Sequence, residues 1–77
     1  MEKAKNLNPL RQIRVAERYS LEDIGEAVGV TKAAVSYWEI GAFFPTDENM
    51  TKVAKFFNVD IEKFKRDFEL WYNEKKL

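Results

Sequence analysis

The sequence predicts an all-α fold, and three observations carry that expectation. Apolar residues recur at helical spacing, as with Ile61, Phe64, Phe68 and Trp71 at i, i+3, i+7 and i+10. Good capping residues, Asn8, Ser20, Thr31, Thr46 and Asp60, stand just before each periodic stretch. Between Ser20 and Gly41, two short helical patterns are separated by a turn too tight for ordinary loop residues.

The first helix starts with Asn8 as cap and Pro9 in the first turn, where a missing N–H costs nothing. Leu10, Ile13 and Ala16 are expected to face inward, and Arg11, Arg14 and Arg18 make this the most basic part of the chain. The second begins at Ser20, with Asp23 completing a shortened capping box. Leu21, Ile24 and Val28 give it one apolar face, and Gly29 can take the left-handed conformation that a helix end often needs. After Val30, the Thr31 hydroxyl can cap a third helix, from Lys32 to about Ile40, with Val35 and Trp38 facing in and Gly41 ending it.

Two helices this short, joined by about three residues, should cross steeply. Gly25 fits that crossing, since a side chain larger than alanine there would collide. Gly25 and Gly29, with apolar residues at Ile24, Val28, Val30, Val35 and Trp38, make a helix-turn-helix signature. An αα-hairpin with no nucleic-acid role is the alternative that the glycine pair disfavours.

Thr46 after Pro45 can cap a fourth helix, whose positive end suits Asp47 and Glu48. Met50, Val53, Ala54 and Phe57 are its core positions, and Asn58 can accept the left-handed turn that stops it. Asp60 caps the last helix, over about residues 61–75. From Ile61 to Glu74 it would run about 21 Å, longer than a small domain needs to close its core.

A chain of 77 residues is one domain, residues 1–77, which buries only about 60% of the surface its unfolded form exposes. Without Cys there are no disulfides or thiolate metal sites, and without His the commonest general base and metal ligand are missing. No apolar run approaches about 18 residues, and the start lacks a signal-peptide core, so a soluble intracellular protein is the default. Lys and Arg number 13, Asp and Glu also 13, a balance that predicts weak non-specific binding to a polyanion.

The segment SLEDIGEAVGVTKAAVSYWEIG resembles the Cro/CI-type (XRE-like) family of bacterial and phage regulators. Leu10-Arg11 and Ile13-Arg14 resemble that family's first helix, and Val35 to Glu39 the end of its third. Pro45 and the run from Val53 to Asp60 resemble its fourth helix and the turn into the fifth, so about residues 7–65 are covered. The resemblance implies a compact five-helix, lambda-repressor-like DNA-binding domain, here with an extended C-terminal helix. It also implies a sequence-specific, double-stranded DNA-binding transcriptional regulator, a repressor or switch protein, in the cytoplasm of a bacterium or phage-infected host. A palindromic operator and a homodimer belong to that expectation. No catalytic residue, cofactor, metal, membrane or small-molecule substrate does.

Carried over residue by residue, the base-reading positions are Lys32, Ala33, Ser36 and Tyr37. Lys32 can donate to guanine, Ala33 offers a methyl, Ser36 is permissive, and Tyr37 brings a hydroxyl and a ring edge. Bidentate readers (Arg, Asn, Gln) are missing from this set, which leaves room for DNA shape to contribute. The starts of helices two and four supply backbone N–H groups for phosphate, at Leu21 and beside the Ser20 and Thr46 hydroxyls, with Thr31 at the third. Asn49, Lys52 and Arg18 are candidate helpers, with ordinary solvated surface as the equal alternative. Leu21 replaces a Gln common in the family. The resemblance also pairs Arg14 with Glu39, joining the first helix to the end of the third.

The largest departure is the loop from Ile40 to Thr46, where Ala42, Phe43 and Phe44 replace the family's polar and basic residues. Core packing by one Phe is expected first, a protein contact second and a wedge against DNA sugar third. Phe68, Trp71 and Tyr72, with Leu70 and Leu77, extend beyond the resemblance; a homodimer contact is expected there, folding back over the same domain being the alternative. Lys63, Lys65, Arg66, Lys75 and Lys76 make the solvated side of that helix. Lys3 and Lys5 sit in a polar start expected to fray, with an arm on the DNA backbone as the sharper alternative. From another class comes a helix-turn-helix scaffold that binds protein through Phe43, Phe44 and the C-terminal aromatics, as antirepressors or antitoxins do. Catalysis finds no support: Glu22, Asp23 and Glu26 are a solvent face, and no phosphate loop or nucleophile–base pair is present.

Overall fold

Four of the helices begin at a side-chain oxygen that takes up a free backbone amide. A computed structural model describes residues 7–76, and among them it places α1 at Pro9–Ala16, α2 at Leu21–Val28, α3 at Lys32–Ile40, α4 at Asp47–Phe57 and α5 at Ile61–Lys76. Asn8, Ser20, Thr31 and Thr46 accept from the amides of Arg11, Asp23, Ala34 and Asn49, each satisfying one donor that the helix cannot. The reciprocal bond from the Ser20 amide to Asp23 Oδ2, at 2.8 Å, completes the capping box. Lys3, Lys5 and Leu77 lie outside the described residues.

The first four helices end by one device. Arg18, Gly29, Gly41 and Asn58 are left-handed, with φ of 65°, 81°, 85° and 58°. The next amide then turns back to a carbonyl five residues earlier: Tyr19 to Arg14, Val30 to Gly25, Ala42 to Tyr37 and Val59 to Ala54. Gly29, Gly41 and Asn58 suit that conformation; Arg18 does not and is held there by its neighbours.

The core is drawn from all five helices: Leu10 from α1, Ile24 and Val28 from α2, Val35 and Trp38 from α3, Met50 and Val53 from α4, Phe64 and Phe68 from α5. Ala16 is exposed rather than inward, because α1 stops there; Ile13 packs against the core instead. Phe68 is 0% exposed and is the largest fully buried side chain. The expectation that it meets a second copy is therefore overturned: α5 folds back and spends this ring on its own domain. Trp71 packs against the same core, and the Tyr72 ring meets Phe44 at 5.0 Å. The radius of gyration, 11.6 Å, is that of a globule of this length (about 11.5 Å), so α5 does not project. Among the described residues, no helix is long and apolar enough to cross a membrane.

Candidate nucleic-acid interface

The crossing of α2 and α3 rests on one missing atom. A Cβ on Gly25 would sit 2.6 Å from the Val30 carbonyl oxygen and 3.3 Å from the Thr31 carbonyl carbon. Backbone, not a yielding side chain, occupies that space, so even alanine is excluded where the sequence reading allowed it. Contact at this distance brings the start of α3 down onto the middle of α2.

α3 is then fixed from beneath. Val35 and Trp38 are buried, and the Asn8 amide nitrogen donates to the Trp38 carbonyl at 3.2 Å. Asn8 thus caps α1 and also pins the end of α3, a second role with no local sequence signal. Glu39, only 7% exposed, accepts from Arg14 Nε at 2.6 Å and from Nη2 at 3.0 Å. The third arm of that guanidinium, Nη1, donates to the Tyr19 carbonyl at 2.9 Å. Arg14 is held above the ordinary arginine pKa, first by its hydrogen bond to Glu39, then with burial working against it and the charge of Glu39 adding a smaller push.

These anchors have an electrostatic result. Glu39 is the one carboxylate of α3, and it is withdrawn from the surface and neutralised. The outward side of α3 carries exposed Lys32, Ala33, Tyr37 and Ile40, with Ser36 half-buried. One positive charge and no negative one remain there. A chain of zero net charge thus carries a single uncompensated positive charge, Lys32, on the outward side of this helix.

The flanks differ. Glu22 and Asp23 occupy the first turn of α2, and Asp47 and Glu48 that of α4. Lys65 approaches Asp47 at 3.2 Å, and Lys52 approaches Glu48 at 3.4 Å. The oxygens of Ser20, Thr31 and Thr46 are used as acceptors in their caps, which leaves each hydroxyl proton free to donate outward. Leu21 is half-buried against the core, so only its amide is available to a phosphate. Arg18 and Lys52 are exposed, and Asn49 is half-buried.

Sequence reasoning missed the neighbour of Tyr37. Phe43 is 60% exposed, and its ring stands edge-on to Tyr37, centroids 5.4 Å apart at 89°. Phe44 does the opposite: it is half-buried and packs against the core, its ring 5.4 Å from that of Phe68. Phe44 meets Tyr72 while Trp71 meets Phe68, all four half-buried or buried, whereas Phe43 stands beside Tyr37 of α3.

Residues 10–64 match the helix-turn-helix family. The chain is 33% identical over 61 residues to the HTH-type transcriptional activator BcrR of Enterococcus faecalis, a match covering 79% of this chain and 30% of that protein. It is 34% identical over 55 residues to an uncharacterized HTH-type transcriptional regulator, YgzD, of Bacillus subtilis, covering 71% of this chain and 83% of the other. The chain thus spans under a third of the first relative and most of the second. No solved structure matches it significantly.

Proposed function

The chain belongs to the Cro/CI-type (XRE-like) helix-turn-helix family, and on that basis we propose that it is a DNA-binding transcriptional regulator that reads the major groove of a specific site with α3. The observation that carries this reading is the surface of α3, which offers Lys32, Ala33 and Tyr37 outward with its one carboxylate paired away inside. Both similar proteins are named as transcriptional regulators, which supports the class. Repression or switching rests on the family resemblance, while the E. faecalis relative is named an activator.

Two copies on a palindromic site are part of the same proposal. The contact would not use Phe68; Leu70, 58% exposed on α5, is the apolar side chain left on that helix's outer side. The protein-binding alternative loses Phe44, which packs inward, and keeps Phe43.

Selection from a random double-stranded DNA pool at low salt tests the proposal. Enrichment of a common sequence is expected, retained in gel shifts by the parent and lost by Lys32→Ala and Tyr37→Ala, both still helical by circular dichroism. A pool that yields no common sequence refutes it.

A further inference from the structure

We propose that the α3 surface recognises the 5-methyl groups of thymine through Ala33, Tyr37, Ile40 and Phe43, with Phe43 a specificity-determining residue supplied by the loop. The inference rests on the reading of α3 as the major-groove helix. Ala33, Tyr37 and Ile40 fall at i, i+4 and i+7, on one side of the helix. Phe43 is brought to them by the left-handed Gly41, after which the amides of Gly41, Ala42 and Phe43 all turn back to the Tyr37 carbonyl. The chain doubles over Tyr37, and the Phe43 ring lands edge-on against the Tyr37 ring.

Phe43, Ile40 and Tyr37 are 60%, 57% and 44% exposed, three large apolar groups within seven consecutive residues. A patch of this kind marks a surface that something covers. Its surroundings select the occupant. Lys32 begins the same helix, no acid lies in its first turn, Glu39 is neutralised by Arg14, and Asp47 and Glu48 beyond the loop are met by Lys65 and Lys52, so the patch suits a polyanion with apolar edges. In a duplex the major groove supplies such an edge only as the thymine methyl. The outward set has no Arg, Asn or Gln to read a base with paired hydrogen bonds. Discrimination therefore falls to shape and methyl contact, with Lys32 adding one donor to a guanine or a phosphate. The aromatic pair works as a unit: Phe43 limits the swing of the Tyr37 ring and widens the apolar ledge beside it.

The test uses the site enriched from the random pool. Each thymine is replaced in turn by deoxyuridine, which removes one methyl and leaves base pairing intact. The parent is expected to bind about fourfold more weakly at one or more positions, the change expected for one buried methyl. Phe43→Ala, exposed and so free to fold, is expected to bind the all-thymine site more weakly and to lose the uracil penalty at the position it covers. Tyr37→Phe is expected to keep that penalty, because the ring remains. A site indifferent to every methyl, or a penalty unchanged in Phe43→Ala, overturns this inference while leaving the major-groove reading intact. A chain that enriches no sequence overturns both.

Discussion

Arg14 and Glu39 meet fork to carboxylate, with Nε on Oε2 at 2.6 Å and Nη2 on Oε1 at 3.0 Å, and so tie α1 to the last turn of α3. Arg11 adds a looser approach, Nη1 to Oε1 at 3.9 Å. Parallel bonds of this kind fix an angle as well as a distance. The direction of α3 is thus set by a pair that lies almost wholly beneath its surface.

Glu39→Gln keeps the shape and removes the charge, leaving the half-buried guanidinium uncompensated. A loss of about 2 kcal/mol is expected in urea unfolding, with the Arg14→Met/Glu39→Leu pair recovering much of it. The sign with pH follows from Arg14. Its pKa is raised in the folded state, so its contribution is complete below the unfolded value and is lost only as pH rises through the higher folded one. Between about pH 7 and about pH 9, the variant should therefore trail the parent by a constant margin.

Gly25→Ala drives a methyl to 2.6 Å from the Val30 carbonyl. The turn must shift, at a cost of about 1–3 kcal/mol. Calorimetry should show a fall in Tm of at least several degrees, since about 1 kcal/mol is worth roughly 4–8 °C at this size. The fraction that stays folded should bind its operator less well, because the start of α3 has moved. An unchanged Tm would mean that the contact relaxes freely.

Arg18→Gly should stabilise the protein. Arg18 holds φ at 65°, a region that costs an L-residue about 1–2 kcal/mol, and the greater unfolded freedom of glycine returns part of that gain. A net increase of about 0.5–1 kcal/mol in unfolding free energy is expected. The same variant tests Arg18 as a phosphate contact: the slope of log affinity against log salt falls by about one if it is one, and stays unchanged if it is not.

Phe68→Ala should cost about 3–5 kcal/mol and leave much of so small a domain unfolded at room temperature. Leu70→Ser should leave stability within about 0.5 kcal/mol. Light scattering on the operator complex then separates the two residues. A two-fold complex that uses the outer side of α5 loses mass with Leu70→Ser; an unchanged mass removes that face from the assembly.

The helix boundaries were legible because they are local. Asn8, Ser20, Thr31 and Thr46 each bond to an amide three residues on, and Gly29, Gly41 and Asn58 are residues that tolerate a left-handed φ. The two-helix motif was legible for the same reason, and so was its family. Arg18 gave no such sign, since its conformation is imposed by the Tyr19 amide and carbonyl, both held by Arg14.

What the chain spells out residue by residue is where helices start and stop and which side of each leaves water. Periodicity does not name the surface that covers that side. Phe68 carries the same helical spacing whether it meets Phe44 of its own domain or another molecule, and adjacent Phe43 and Phe44 look alike until Gly41 turns the backbone between α3 and the core. Folding chose inward for Phe68 and Phe44 and outward for Phe43, because burial is a property of contacts made across the chain, and those form only when all five helices close on one another.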